Sequence, residues 1–331
     1  MSGYYSLLDW DGITSGTFVG IQNYIELFTE KSLGFGPTVR NAFIFAGLSV
    51  FLQLPLALLL ALTLAKGIKG ERFFVAVFFI PVLLSTTVIG QLWMKIYNPQ
   101  YGIVNSFLHA VGLDTWCKTW LGDQKYALAA CFIPMLWQYV GYHMLLMYAG
   151  IKSLSPDIRE AAKIDGANDH QLSRYITIPM IKPVLRMCVI FAVTGSLKAF
   201  DLIYVLTGGG PAHASEVPST LMINMIFDRS RYGLGSSIAM FIIFLFFGDY
   251  KASLIVGSSI PTSILMSLIA ITMAGFSLNV ITMSALVLGV GMMVDNSIVV
   301  LESCFRSTKG KGFNEFHKEA LEGSSIVIQS I

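Results

Sequence analysis

The chain has 331 residues, 54% of them hydrophobic and only 13% charged, with a mean hydropathy of +0.67. A water-soluble domain carries about a quarter charged residues, so the composition excludes a surface that faces mainly water and calls for lipid. The formal net charge of +2 excludes little, and the positions of the basic residues carry the information instead. Cys117, Cys131, Cys188 and Cys304 are scattered and form no CxxC pair, so the spacing signals neither a zinc site nor a disulfide framework.

Residues 1–40 open the chain without a basic stretch leading into an apolar one, so no cleavable signal peptide is visible. Seven apolar segments follow: Asn41 to Ala65, Phe73 to Tyr97, Tyr126 to Ile151, Val184 to Thr207, roughly Leu234 to Phe247, Ser253 to Phe276 and Ile281 to Ser303. Only a helix crosses lipid as an open chain with every backbone polar group satisfied. The expected fold is therefore all-α: a polytopic transmembrane helical bundle with about seven membrane-spanning helices. The fifth segment is the short one. Its length of about 21 Å at ~1.5 Å per residue falls below the ~30 Å hydrocarbon core.

The loops differ in charge. Lys66, Lys69, Arg72, Lys152, Arg159, Lys163, Arg174, Lys182, Arg186, Lys251, Arg306, Lys309, Lys311 and Lys318 fall in alternate loops. The opposite loops hold only Lys31, Arg40, Lys118, Lys125, Arg229 and Arg231. The positive-inside rule places the larger set in the cytoplasm, with the N-terminus outside, the C-terminus inside and an odd number of crossings.

The longest cytoplasmic loop, residues 153–183, reads SLSPDIREAAKIDGANDHQLSRYITIPMIKP. Ser155 suits a helix N-cap and Pro156 the first helical position. A short helix is expected through Ile164. A turn follows at Asp165-Gly166, where glycine adopts positive φ freely, and then a second short helix that stops before Ile178-Pro179. Ala161 and Ala162 would let a partner surface approach closely. An amphipathic loop lying on the lipid surface is the competing reading of the same residues.

The strings EAAKIDGAN and ITIPMIKP resemble the EAA loop of ATP-binding-cassette importer permeases. DWDG, FVGIQNY, FFIPVLLSTTVIGQLW, NPQYGIVN and FDLIYVLTGGGP resemble the sugar-permease branch of that family. The likeness covers roughly residues 1–240, and 41–240 would form the permease-like transmembrane domain. It departs at the start, where the family normally has a helix before the DWDG segment. The resemblance implies a coupling helix that sits in a cleft of a cytoplasmic ATPase subunit, carried by Glu160, Ala161, Ala162, Asp165, Gly166, Ala167, Pro179 and Pro183. It further implies a bacterial inner-membrane protein, not an enzyme by itself, for carbohydrate import. Its partners would be ATPase subunits, a second permease subunit and a periplasmic or lipoprotein sugar-binding protein, and no nucleic acid. ATP and Mg would sit on the ATPase partner, and no cofactor on this chain. The chain has no GxxxxGK[ST] loop, and Gly208-Gly209-Gly210 reads as a flexible outer turn.

Lys198 and Asp201 sit three residues apart within the fourth segment, on one helical face. They are candidates for the translocation path or for a local ion pair near the outer surface. Trp93, Trp137, Tyr139 and Tyr142 suit sugar stacking, interfacial anchoring or helix packing. From about residue 241 to 331 the text instead resembles proton-driven efflux pumps of the RND type, through GFSLNVITMSALVLGVGMMVDNSIVVLESCFR and EALEGSS. In that family the aspartate matching Asp295 relays protons with a lysine on a distant helix. That helix is absent and Asn296 replaces a frequent second acid, so an idle, protonated Asp295 is expected. The join would lie between Ala239 and Phe247, as a fusion or an assembly chimera.

Overall fold

The computed structural model describes residues 2–247, 265–269 and 271–273. The chain divides into two compact units, Met1–Ile242 and Ile243–Ile331. The first unit holds the elements from the N-terminal strand pair up to the fifth apolar segment. Asp295 and the seventh apolar segment lie outside the described residues. Of the sixth segment, 265–269 and 271–273 are described, and both are helical.

After a short helix, Ser2–Tyr5, the N-terminal segment forms a two-stranded antiparallel pair, Leu8–Asp9 with Thr17–Phe18. Asp11 closes its turn by accepting hydrogen bonds from the N–H of Ile13 and of Thr14 and from the Thr14 hydroxyl. Those donors, the Thr14 N–H first, pull its carboxyl down to about 2. The buried Asn23 amide donates at 2.8 Å to the carbonyls of Ser6 and Leu8, which fixes the pair to the helix Gln22–Thr29. The apolar side of that helix packs through Leu27 with Leu33, Phe35, Leu221, Met225, Leu234 and Ile238.

One helix, Phe35–Leu64, runs for 30 residues with a π-turn at Ser49–Gln53. Among the described residues it is the one helix long and apolar enough to cross a membrane unaided; up to three cross if each of two bent pairs is a single span. The sequence-based number of about seven is not reached among these residues. The helix Ala127–Lys152 packs against Leu54–Leu64 and Glu71–Leu83. Their shared core joins Ala57, Ala61 and Leu64 to Val140, Met144, Met147 and Ile151, with Cys188 and Ala192 from the helix Lys182–Leu197. Small residues let the backbones close in where lipid offers no hydrophobic drive for association. Gly141 is the extreme case: a Cβ there would sit 1.8 Å from the Phe78 carbonyl oxygen. A buried Ser49–Ser196 hydroxyl pair at 2.8 Å joins Phe35–Leu64 to Lys182–Leu197.

Two expected continuous spans are broken. The second segment is Glu71–Leu83 followed by Thr86–Ile96, bent by 98°. Pro81 contributes no N–H to the helix, and Leu84 and Ser85 are extended (ψ 143° and 135°), so the hydrogen-bond ladder stops there. The fourth segment ends as a helix at Leu197 and restarts at Asp201. Lys198 caps the first piece and Asp201 opens the second, where a carboxylate suits the positive helix end. The two residues are thus not on one helical face, because Phe200, at φ −142° and ψ −66°, interrupts the helix between them. The short fifth segment is the helix Tyr232–Phe247.

The glycine loop that follows the helix Asp201–Thr207 is not the flexible turn expected. Gly208, Gly209, Ala212 and His213 all hold positive φ. The loop is pinned from inside, where the buried Asn41 amide of the first long helix donates to the carbonyls of His213, Ala214 and Glu216 at 3.3, 3.1 and 2.9 Å. The buried Glu216 carboxylate pairs with His213 and accepts from the Asn224 amide at 2.9 Å.

Candidate functional site: the two-armed loop

The first arm is the helix Pro156–Ile164. The Ser155 hydroxyl accepts from the Asp157 N–H at 3.3 Å, and Pro156 occupies the first turn, where its missing N–H costs nothing. Asp157 in the first turn and Lys163 in the last both complement the helix dipole. The arm ends in a Schellman closure: Gly166 N–H donates to the Lys163 carbonyl at 3.0 Å and Ala167 N–H to Ala162 at 2.9 Å. Gly166 sits at φ +84° with nothing within 4 Å of where a Cβ would be. Glycine is needed there for backbone conformation alone.

The second arm starts at a reciprocal capping box. The Asn168 side chain accepts from Gln171 N–H at 2.8 Å, while the Gln171 side chain accepts from Asn168 N–H at 2.9 Å. The arm does not stop before Ile178-Pro179 as expected. It runs as Asp169–Met180, with a π-turn over Leu172–Thr177, and bends by 71° into Lys182–Leu197. The wider turn, with the Ile178 N–H reaching Ser173, shifts the ladder ahead of a proline that has no N–H to give. Pro179 therefore lies inside the arm and Pro183 in the first turn beyond the bend.

The eight loop residues singled out from the sequence divide by exposure. Glu160, Ala161, Asp165, Gly166, Pro179 and Pro183 are exposed and Ala167 is half-buried, whereas Ala162 is buried. The first arm packs on the π-turn of the second, where Leu172 and Thr177 are also buried. Of the alanine pair, then, only Ala161 faces outward. Ile164 is 85% exposed and Tyr175 70%.

Sequence reading missed the ties between this loop and the membrane helices. Lys66, just past the end of the first long helix, pairs with Asp169 at 3.2 Å. Lys152, at the end of Ala127–Lys152, pairs with Glu71 at 2.8 Å, and the Tyr148 hydroxyl donates to the same carboxylate. In the sequence Lys66 and Lys152 count only toward loop charge; no local pattern links either to a partner 103 or 81 positions away. Far along the chain from the loop, Arg231 grips Glu26 through two hydrogen bonds of 2.5 and 2.6 Å.

A family model for the binding-protein-dependent transport system inner membrane component matches residues 43–248. A second model, for the AcrB/AcrD/AcrF family, matches residues 230–331. The probable ABC transporter permease protein YurN of Bacillus subtilis is 36% identical over 245 residues, covering 73% of this chain and 83% of the relative. The trehalose/maltose transport system permease protein MalF of Thermococcus litoralis is 35% identical over 223 residues, 67% of this chain and 74% of its own. The multiple sugar-binding transport system permease protein MsmF of Streptococcus mutans is 34% identical, covering 74% of this chain and 83% of its own. A chain in a crystal structure of a bacterial alginate ABC transporter, with an alginate pentasaccharide-bound periplasmic protein, shares the fold. It has a TM-score of 0.62 at 24% identity and covers 67% of this chain and 77% of that one. The chain thus belongs to the family of binding-protein-dependent transport system inner membrane components, as a membrane permease subunit that is itself no enzyme.

Proposed function

We propose that this permease imports carbohydrate across a bacterial inner membrane and that residues 153–183 couple it to a cytoplasmic ATPase. The observation that carries the reading is the two-armed loop: an outward Ala161 and an exposed Ile164 on the first arm, an exposed Tyr175 on the second, and a second arm that continues through a bend into Lys182–Leu197. Such a surface takes a groove on a partner, and a push on it reaches the membrane helix directly. Glu160, Ala161, Asp165, Gly166 and Ala167 present the first arm, Ala162 packs it on the second, and Pro179 and Pro183 set the exit. The relatives named for trehalose/maltose and multiple-sugar transport support carbohydrate as cargo.

The working assembly comprises this chain, a second permease subunit, ATPase subunits that hold ATP and Mg, and a sugar-binding protein. The charge distribution supports a multi-pass arrangement with the loop inside. Residues 1–40 form the outer segment and 41–240 the permease domain, with Lys198 and Asp201, on either side of the helix break, beside the translocation path. The test is site-directed crosslinking from position 161 to the co-expressed ATPase. A crosslink dependent on that position supports the reading; labelling of the loop from the outer face would end it.

A second reading concerns residues 241–331. The AcrB/AcrD/AcrF match over 230–331 favours an RND-type fragment joined to the permease between Ala239 and Phe247, an interval that contains the division at Ile242–Ile243. Asp295 would be its proton-relay position, idle in this chain. One long sequencing read across the locus tests this: a single uninterrupted frame supports a natural fusion, and two separate complete genes refute it.

A further inference from the structure

The short connection after the helix Ile103–Ala110 gathers three metal-ligating side chains that the family assignment leaves without a role. His109, Asp114 and Cys117 present ligand atoms that all lie within 4.8 Å of one another, and His109 Nδ1 is hydrogen-bonded to Asp114 Oδ1. The backbone itself brings them together. Gly112, at φ +77°, reverses the chain in a second Schellman closure, with Gly112 N–H to the His109 carbonyl at 3.0 Å and Leu113 N–H to Leu108 at 2.8 Å. A turn of 3-10 helix, Asp114–Trp116, then returns Cys117 beside it.

Asn105, buried one turn earlier, anchors the far side. Its amide donates to the Pro99 and Lys118 carbonyls at 3.2 and 3.1 Å, and its oxygen accepts from Trp120 at 2.8 Å. The loop is therefore closed by Gly112 and Asn105, and its architecture does not require the three side chains. The side chains of His109 and Asp114 are 60% and 68% exposed, so packing does not explain them either. Cys117 makes a long Sγ contact of 3.7 Å to the Asn105 carbonyl.

We propose that His109, Asp114 and Cys117 form a divalent-metal site of the zinc type. An imidazole, a carboxylate and a thiolate make a borderline-soft ligand set; calcium and magnesium would demand oxygen ligands throughout. Three protein ligands on a tetrahedral ion leave one position for water. Ligand atoms about 2.0–2.3 Å from such an ion lie roughly 3.3–3.8 Å from one another, so atoms already within 4.8 Å would need to draw together by about an ångström, and the exposed His109 and Asp114 side chains have room to turn. Binding replaces the Cys117 S–H bond with an S–metal bond and releases the proton to solvent. The bound ion would staple the end of Ile103–Ala110 to the segment leading into Ala127–Lys152.

The test uses the full chain in lipid nanodiscs, titrated with Co2+ and then Zn2+. A one-to-one thiolate-to-cobalt charge-transfer absorption that Zn2+ displaces is expected. H109A and C117S should each weaken binding at least about tenfold, since even ligand-supporting residues are worth that much. Absence of the band, its survival in C117S, or an unchanged cobalt affinity in H109A overturns the proposal. Should C117S fail to fold, the unsubstituted chain decides: Zn2+ should slow maleimide labelling of Cys117, followed by peptide mass spectrometry. Unchanged labelling would equally overturn the site.

Discussion

Two glycine turns, at Gly166 and at Gly208–His213, solve the same backbone problem in opposite surroundings, one open and one held by buried side chains. At Gly166 the chain enters the left-handed region in open space and is closed by its own two backbone hydrogen bonds. At Gly208–His213 four residues share that region, and the turn is held from beneath by Asn41 and Glu216, both buried. A Cβ on Gly209 would lie 2.9 Å from Glu216 Cγ, whereas one on Gly166 would meet nothing. An identical local conformation is thus a presentation device where it is exposed and a fixture where buried side chains depend on it. Substitutions should accordingly cost stability at the Gly208–His213 turn and coupling at Gly166.

The largest expected effect is Asn41→Ala. It strips the donor from three loop carbonyls at once, and an unsatisfied buried polar group costs about 1–3 kcal/mol. The detergent-solubilised protein should lose about 3 kcal/mol of stability, read as a clear fall in thermal midpoint; an unchanged midpoint would show that water replaces Asn41 freely. Gly209→Ala comes next, at about 2 kcal/mol from backbone strain plus the Glu216 contact. A smaller loss than at Gly166 would reverse the comparison.

Gly166→Ala carries backbone strain alone, about 1 kcal/mol. The protein should accumulate normally, while sugar uptake in cells with the partner subunits falls severalfold because the first arm is re-aimed. Normal uptake would show that the loop tolerates a different angle. The pair Lys66–Asp169 is largely exposed and adds little to stability, ~0–1 kcal/mol. K66E should nevertheless lower uptake, and the double swap K66E/D169K should restore it if the tie transmits motion.

The smallest effect is a pH dependence at the Glu26–Arg231 pair. The Arg231 guanidinium holds the Glu26 carboxyl below its ordinary value of 4.5. A carboxylate lowered in the folded state stabilises above its unfolded value, and that contribution is lost as pH falls through the folded one. Thermal midpoints measured from pH 6 to pH 3 should therefore drop more steeply for the unsubstituted protein than for E26Q. Parallel curves would show that the pair is screened to nothing.

Much of the loop could be read from local chemistry. Ser155-Pro156 marks a helix start and Asp165-Gly166 a stop, because caps and left-handed turns depend on the residues at the site themselves. The π-turn over Leu172–Thr177 had no such signal: Pro179 announces a missing donor but does not say whether the chain breaks or widens its ladder. The same ambiguity hid the bends after Leu83 and Leu197, since a hydropathy window averages across a break. The gathering of His109, Asp114 and Cys117 was missed because their spacing matches no known ligand pattern and depends on the reversal at Gly112.

Residue order was enough to establish that the chain is helical and membrane-embedded, that its loop over residues 153–183 has two arms hinged at Gly166, and that it resembles an importer permease. These follow from composition, capping residues and contiguous motifs, all properties of neighbours along the chain. Helix packing was needed to show that Asn41 pins a loop 172 to 175 positions away, that Lys66 and Lys152 tie the inner ends together, and that Ala162 turns inward while Ala161 does not. Partners far apart in the chain meet only once the helices have packed, and packing is set by small residues such as Gly141 whose fit depends on the surface opposite.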